Sequence, residues 1–146
     1  MNFLFPRTWT TRCADLLRAF HTHGVEYLLI GSMAKALHSL NGASVDDVDV
    51  MIDSTPKNAR KVGLVLRKLG HNVNTDTVER LTAPGNYTQL FGSVHVLTPP
   101  KASFSFAEAS ARYTEVQIPR LGIPVRLAAL RDLDALDALR EAADKS

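Results

Sequence analysis

The sequence predicts a mixed α/β, or α+β, domain, and three observations carry that prediction. The first half alternates amphipathic helical stripes with apolar runs of strand length. The second half carries short strand-like runs broken by Gly and Pro, and the last segment returns to helical spacing. With 146 residues the chain is most simply one domain, 1–146, long enough to bury a sizeable core.

Cys13, Leu16, Leu17 and Phe20 fall at i, i+3, i+4 and i+7, the stripe of a helix with one buried side, and Gly24 is placed to end it in a left-handed cap. Val25 to Ile30 is apolar throughout except for Glu26, which suits a strand buried on both faces. Ser32 can cap a second helix with the stripe Met33, Ala36, Leu37 and Leu40, stopped by Asn41-Gly42. Val48, Val50 and Ile52 then alternate with Asp47, Asp49, Met51 and Asp53, so the expected strand has one apolar and one largely acidic face.

Thr55-Pro56 is a helix start, a cap followed by proline at the first helical position; Val62, Val65, Leu66 and Leu69 make the stripe and Gly70 closes it. Short strands are expected at Val78 to Leu81, Thr88 to Phe91 and Val94 to Leu97, separated by Pro84-Gly85-Asn86 and Gly92-Ser93. Phe104 to Ala111 reads as a short helix. Thr114 to Ile118 and Ile123 to Leu127 read as strands around Leu121-Gly122, and Leu130, Leu133, Leu136 and Leu139 mark a closing helix.

Composition narrows the functional classes. At 45% hydrophobic and 22% charged, the chain is neither disordered nor fibrous in type. Its apolar runs are too short to cross a bilayer, so no membrane partner is expected, and the N-terminus lacks the basic region of a signal peptide. The single Cys13 rules out an internal disulfide framework and fits a reducing compartment, which makes a cytoplasmic location the expectation. A net charge of +2 is too small to argue for nucleic acid binding, and Arg60, Lys61, Arg67 and Lys68 read as a solvated helix face.

The chemistry concentrates near the first strand. A buried strand leading through Gly31 into a helix at Ser32 presents backbone N–H groups and the positive end of a helix dipole, a natural anion site. The Ser32 hydroxyl adds a donor and Lys35, one turn along, adds charge. Asp47 and Asp49, spaced i, i+2 on a strand, share one face. Two convergent carboxylates beside a phosphate site are what Mg²⁺ needs when it also takes triphosphate oxygens.

The run Tyr27-Leu-Leu-Ile-Gly-Ser-Met-Ala-Lys-Ala-Leu-His38, followed by Asp47-Val-Asp-Val-Met-Ile-Asp53, resembles the signature of the nucleotidyltransferases of the DNA polymerase β superfamily. It is most similar to the small branch that includes minimal nucleotidyltransferases and the nucleotidyltransferase members of toxin–antitoxin pairs. Gly122-Ile-Pro-Val-Arg-Leu-Ala128 with Leu130-Arg-Asp-Leu133 resembles the strand and helix that close that fold, so the likeness spans most of residues 25–140. It implies a nucleotidyltransferase fold, a short mixed sheet flanked by helices, that binds a nucleoside triphosphate. The implied roles are nucleotide binding for Gly31, Ser32 and Lys35, and Mg²⁺ ligation (with Mn²⁺ as the alternative) and catalysis for Asp47 and Asp49. The transfer would be of a nucleotidyl group to an unknown hydroxyl acceptor on a small molecule, an RNA or a protein.

Two departures from the family pattern bear on activity. The third acid, usual on a later strand, is replaced in Gly92-Ser-Val-His-Val-Leu97 by His95, a poorer Mg²⁺ ligand that can still serve as a base. Asp53 is an implausible substitute at about 13 Å along the strand from Asp49. The closing helix carries Asp137 and Arg140 where relatives usually have a lysine, and no accessory helical domain is expected, so a partner protein or a second copy would supply the acceptor wall. The alternative reading is a catalytically degenerate binding or antitoxin-like regulatory module.

Overall fold

The computed structural model describes residues 11–39, 48–91, 94–100, 104–118 and 121–144. Helix α1 (Thr11–Thr22) sinks Cys13, Leu16, Leu17 and Phe20 into the core, and the chain turns at Gly24 with φ 65°. Strand β1 (Tyr27–Ile30) is buried at every residue and runs directly into helix α2 (Gly31–Ser39). Helix α2 therefore starts one residue before the expected cap, and Ser32 stands in its first turn. Its buried residues are Gly31, Met33, Ala34 and Leu37, while Leu40 and the expected Asn41-Gly42 stop lie outside the described residues.

Strand β2 (Val48–Ile52) is buried on both faces, not apolar on one and acidic on the other. Helix α3 (Pro56–Lys68) begins as its sequence predicts, with the Thr55 side chain accepting from the Asn58 N–H and Pro56 in the first turn. The largest departure follows. Val78 to Leu81, expected as a strand, belongs to helix α4 (Thr75–Thr82). Asn74 and Thr77 form a reciprocal capping box there, and only Leu81 of the helix is fully buried.

Strands β3 (Tyr87–Phe91) and β4 (Val94–Leu97), helix α5 (Phe106–Ala111), strands β5 (Thr114–Gln117) and β6 (Pro124–Leu127) and helix α6 (Leu130–Asp144) complete the order. Among the described residues this is a mixed α+β structure of six helices and one six-stranded sheet in the order β3-β4-β2-β1-β6-β5. β1 pairs antiparallel with β2 and parallel with β6; β2 and β4 are parallel, and the hairpins β3–β4 and β5–β6 are antiparallel.

Residues paired across strands share a face. Leu28, Ile30, Asp49, Met51, His95 and Leu97 therefore stand on one side, where α2 and α6 pack. Tyr27, Leu29, Val50, Ile52 and Val96 stand on the other, where Phe20 of α1 meets the Tyr27 ring at 5.5 Å and α1 packs on α3. Each fully buried Leu, Ile or Phe in this two-sided core contributes roughly 1.5–3 kcal/mol. Buried Asn58 locks the start of β1 to the end of β2: its side chain accepts from the Glu26 N–H and donates to the Glu26 and Asp53 carbonyls. No helix among the described residues is long and apolar enough to cross a membrane.

Candidate functional site

The turn from β1 into α2 brings the candidate residues together. Gly31 has φ 72°, a left-handed conformation that costs any other L-residue. Space forbids a side chain as well, because a Cβ there would stand 2.8 Å from Asp49 Oδ2 and 3.0 Å from an Arg140 guanidinium nitrogen. Glycine is required twice over.

Asp49 faces Ile30 across the β1–β2 ladder and is only 3% exposed. Its Oδ2 accepts from Arg140 Nη1 at 2.9 Å, and its Oδ1 accepts from the Tyr87 hydroxyl at 2.8 Å. His95, paired with Asp49 in the β2–β4 register, places Nδ1 3.4 Å from Oδ1, a long contact short of hydrogen-bond geometry. That pair is ionic only when the imidazole is protonated. The His95 and Tyr87 rings stack at 5.0 Å. A cleft of about 280 Å³ opens beside the group, lined by Ser32, Asp49, Tyr87, Arg140, Glu141 and Asp144.

Arg140 is the strongest positive group at the cleft. Burial alone would weaken its hold on the proton, but the hydrogen bond and charge of Asp49, with Asp137 nearby, raise its pKa above the ordinary arginine value. Lys35 does not line the cleft. Its ammonium reaches α6 instead, donating to Asp137 and lying 3.9 Å from Asp134, and the Asp137 hydrogen bond raises its pKa. These contacts fasten α6 over the start of α2.

Of the residues singled out in the sequence, Gly31, Ser32, Asp49 and His95 converge here. Asp47, like Asp46 and Trp9, lies outside the described residues. Asp53 follows the far end of β2, engaged with Glu26 and Asn58 through its backbone. His38 Nε2 meets the Ala128 carbonyl at 2.8 Å, and Arg126 pairs with Glu26 and covers the Tyr113 ring. Arg80 lines a larger groove of about 480 Å³ with Asn72, Asn74, Thr77 and Gln89, which shares no lining residue with the cleft beside Asp49. We place the site at the smaller cleft, because buried charge converges there.

Sequence reasoning missed Tyr87 and gave Arg140 no role. The register of β3 shifts between Gln89 and Phe91, which sets Tyr87 and Gln89 on the same face as His95. A two-residue turn at Gly92-Ser93 extrapolated without that bulge would send Tyr87 to the opposite face. Arg140 carries a weaker signal, a basic residue three positions after Asp137 on a helix with an acidic side.

The described donors do not fit a divalent cation as they stand. Asp49 is almost excluded from solvent and both its oxygens are engaged, whereas Mg²⁺ keeps much of its water shell. Among the described residues no group of three or more His, Cys, Asp or Glu could hold a metal. Compared with protein-family models, curated proteins and solved structures, the chain finds no match.

Proposed function

We propose that this chain is a nucleotidyltransferase-like, nucleotide-binding domain whose ligand phosphates lie against the Gly31–Ser32 turn. One observation carries the reading: a left-handed glycine at a strand-to-helix turn stands directly against the buried carboxylate of the neighbouring strand, beside a cleft that Ser32 also lines. Such a turn offers backbone N–H groups and a helix dipole to an anion, and Arg140 adds guanidinium donors that suit phosphate oxygens. Glu141 and Asp144 on the same cleft disfavour a bare polyanion, so the phosphates belong at the Ser32 and Arg140 end.

In the full reading Asp47 and Asp49 hold Mg²⁺ or Mn²⁺, and a hydroxyl of a small molecule, an RNA or a protein accepts the nucleotidyl group. Asp49 is already paired with Arg140. His95 is the candidate base for the acceptor hydroxyl, its Nδ1 lying 3.4 Å from Asp49 Oδ1, although it does not itself line the cleft. The Arg140–Asp49 pair also favours a second reading, a non-catalytic binding or antitoxin-like regulatory module in which the carboxylate serves structure.

Calorimetric titration of the full chain with each common nucleoside triphosphate, with and without Mg²⁺, tests the binding claim. Binding of at least one triphosphate, weakened by Ser32→Ala, is expected; binding of none would sink the proposal. Labelled triphosphates with Mg²⁺ or Mn²⁺ then divide the two readings. Pyrophosphate release lost in Asp47→Ala and Asp49→Ala selects the enzyme, and binding without turnover selects the regulatory module.

A further inference from the structure

We propose that the groove between α3, α4 and β3 is a second ligand site, and that it takes a small zwitterion with an apolar side chain, an α-amino acid. The groove shares no lining residue with the cleft beside Asp49, so this site does not rest on the nucleotidyltransferase reading. Its volume of about 480 Å³ falls within the range of small-molecule pockets. Its walls are held by contacts that need no ligand. Arg67 Nη2 donates to the Val73 carbonyl at 3.2 Å, the Asn74–Thr77 box fixes the start of α4, and Asn86 Nδ2 donates to the Arg80 carbonyl at 3.1 Å. A pocket built in advance spares its ligand the cost of ordering it.

The charges in the groove identify the ligand class. Asp76 stands in the first turn of α4 and Arg80 in the last, so the helix dipole favours each where it is. An acid followed by Arg at i, i+4 has the spacing of a helical ion pair. Here neither side chain pairs with any described residue, and both line the groove from exposed positions. Leu66, Val73 and Leu81, all buried, give the same groove its apolar lining. A ligand with one charge would be attracted by one of the two groups and repelled by the other. A zwitterion satisfies both: its carboxylate accepts from the Arg80 guanidinium, its ammonium donates to the Asp76 carboxylate, and its side chain covers apolar surface. The ammonium and carboxylate of an amino acid lie about 3 Å apart, and a hydrogen bond of about 2.9 Å at each end lets them bridge side chains one helical turn apart. Asn72, also exposed in the groove, adds an amide able to serve either ligand group.

The test follows the backbone amide signals of the full chain by nuclear magnetic resonance during titration with L-phenylalanine. Parallel titrations use phenylpropionate, which lacks the ammonium, and phenethylamine, which lacks the carboxylate. L-Phenylalanine should move the signals of Asn72 to Leu81 saturably, and each single-charge analogue should bind about ten-fold or more weakly, as loss of a charge-assisted hydrogen bond requires. Arg80→Gln and Asp76→Asn should each weaken L-phenylalanine by a similar factor. No saturable shift at these residues with L-phenylalanine, L-leucine or L-tryptophan overturns the proposal. So does equal binding of L-phenylalanine and its analogues, or an affinity indifferent to Arg80→Gln. Should Asp76→Asn loosen α4, Arg80→Gln and the analogue series on the unaltered protein decide. Failure of the chain to bind any triphosphate removes the nucleotide reading and leaves this comparison standing.

Discussion

At the scale of single residues, Gly31 concentrates more constraint than any other position. Its φ of 72° and the 2.8 Å approach of Asp49 Oδ2 to the place of a Cβ are independent reasons for glycine. Gly31→Ala pays the left-handed penalty of about 1–2 kcal/mol and must also push Asp49 or Arg140 aside. Urea denaturation should show a loss at or above that range together with weakened triphosphate binding, and a loss below about 0.5 kcal/mol would contradict the close packing described. Asp49 illustrates the opposite situation. Its position on a strand was legible, but its burial and its three partners come from α6, β3 and β4, which no local spacing brings together.

At the scale of elements, most helices announce themselves by stripe and cap, as α3 does with Thr55 and Pro56. Helix α4 shows how short elements escape that reading. Val78 and Leu81 with a β-branched neighbourhood resemble a strand in isolation, and the deciding signal is the Asn74–Thr77 capping box upstream. Asn74→Ala should therefore cost about 1 kcal/mol and raise hydrogen exchange across α4. Unchanged exchange there would mean that packing against α3, not the cap, holds the helix. The β3 bulge is the other element-scale lesson: a register shift between Gln89 and Phe91 decides whether Tyr87 faces Asp49.

At the scale of the whole molecule, the sheet places β4, β2, β1 and β6 inside and leaves β3 and β5 as its edges. Hydrogen exchange should be slowest in β1 and β2, which are buried at every residue, and fastest along β5, whose residues are largely exposed. Comparable protection in β5 and β1 would argue that a partner covers that edge. The sequence by itself determined the helical stripes, the two-sided burial of β1, the strand-turn-helix at Gly31 and the place of Asp49 on β2, because each depends on neighbours within a few residues. Only the tertiary structure decided that both faces of β2 are covered, that Lys35 binds α6, and that Arg140, 91 positions away from Asp49, neutralises it. Strand order, register and helix docking are set by the joint packing of distant segments, and a spacing rule carries no information about them.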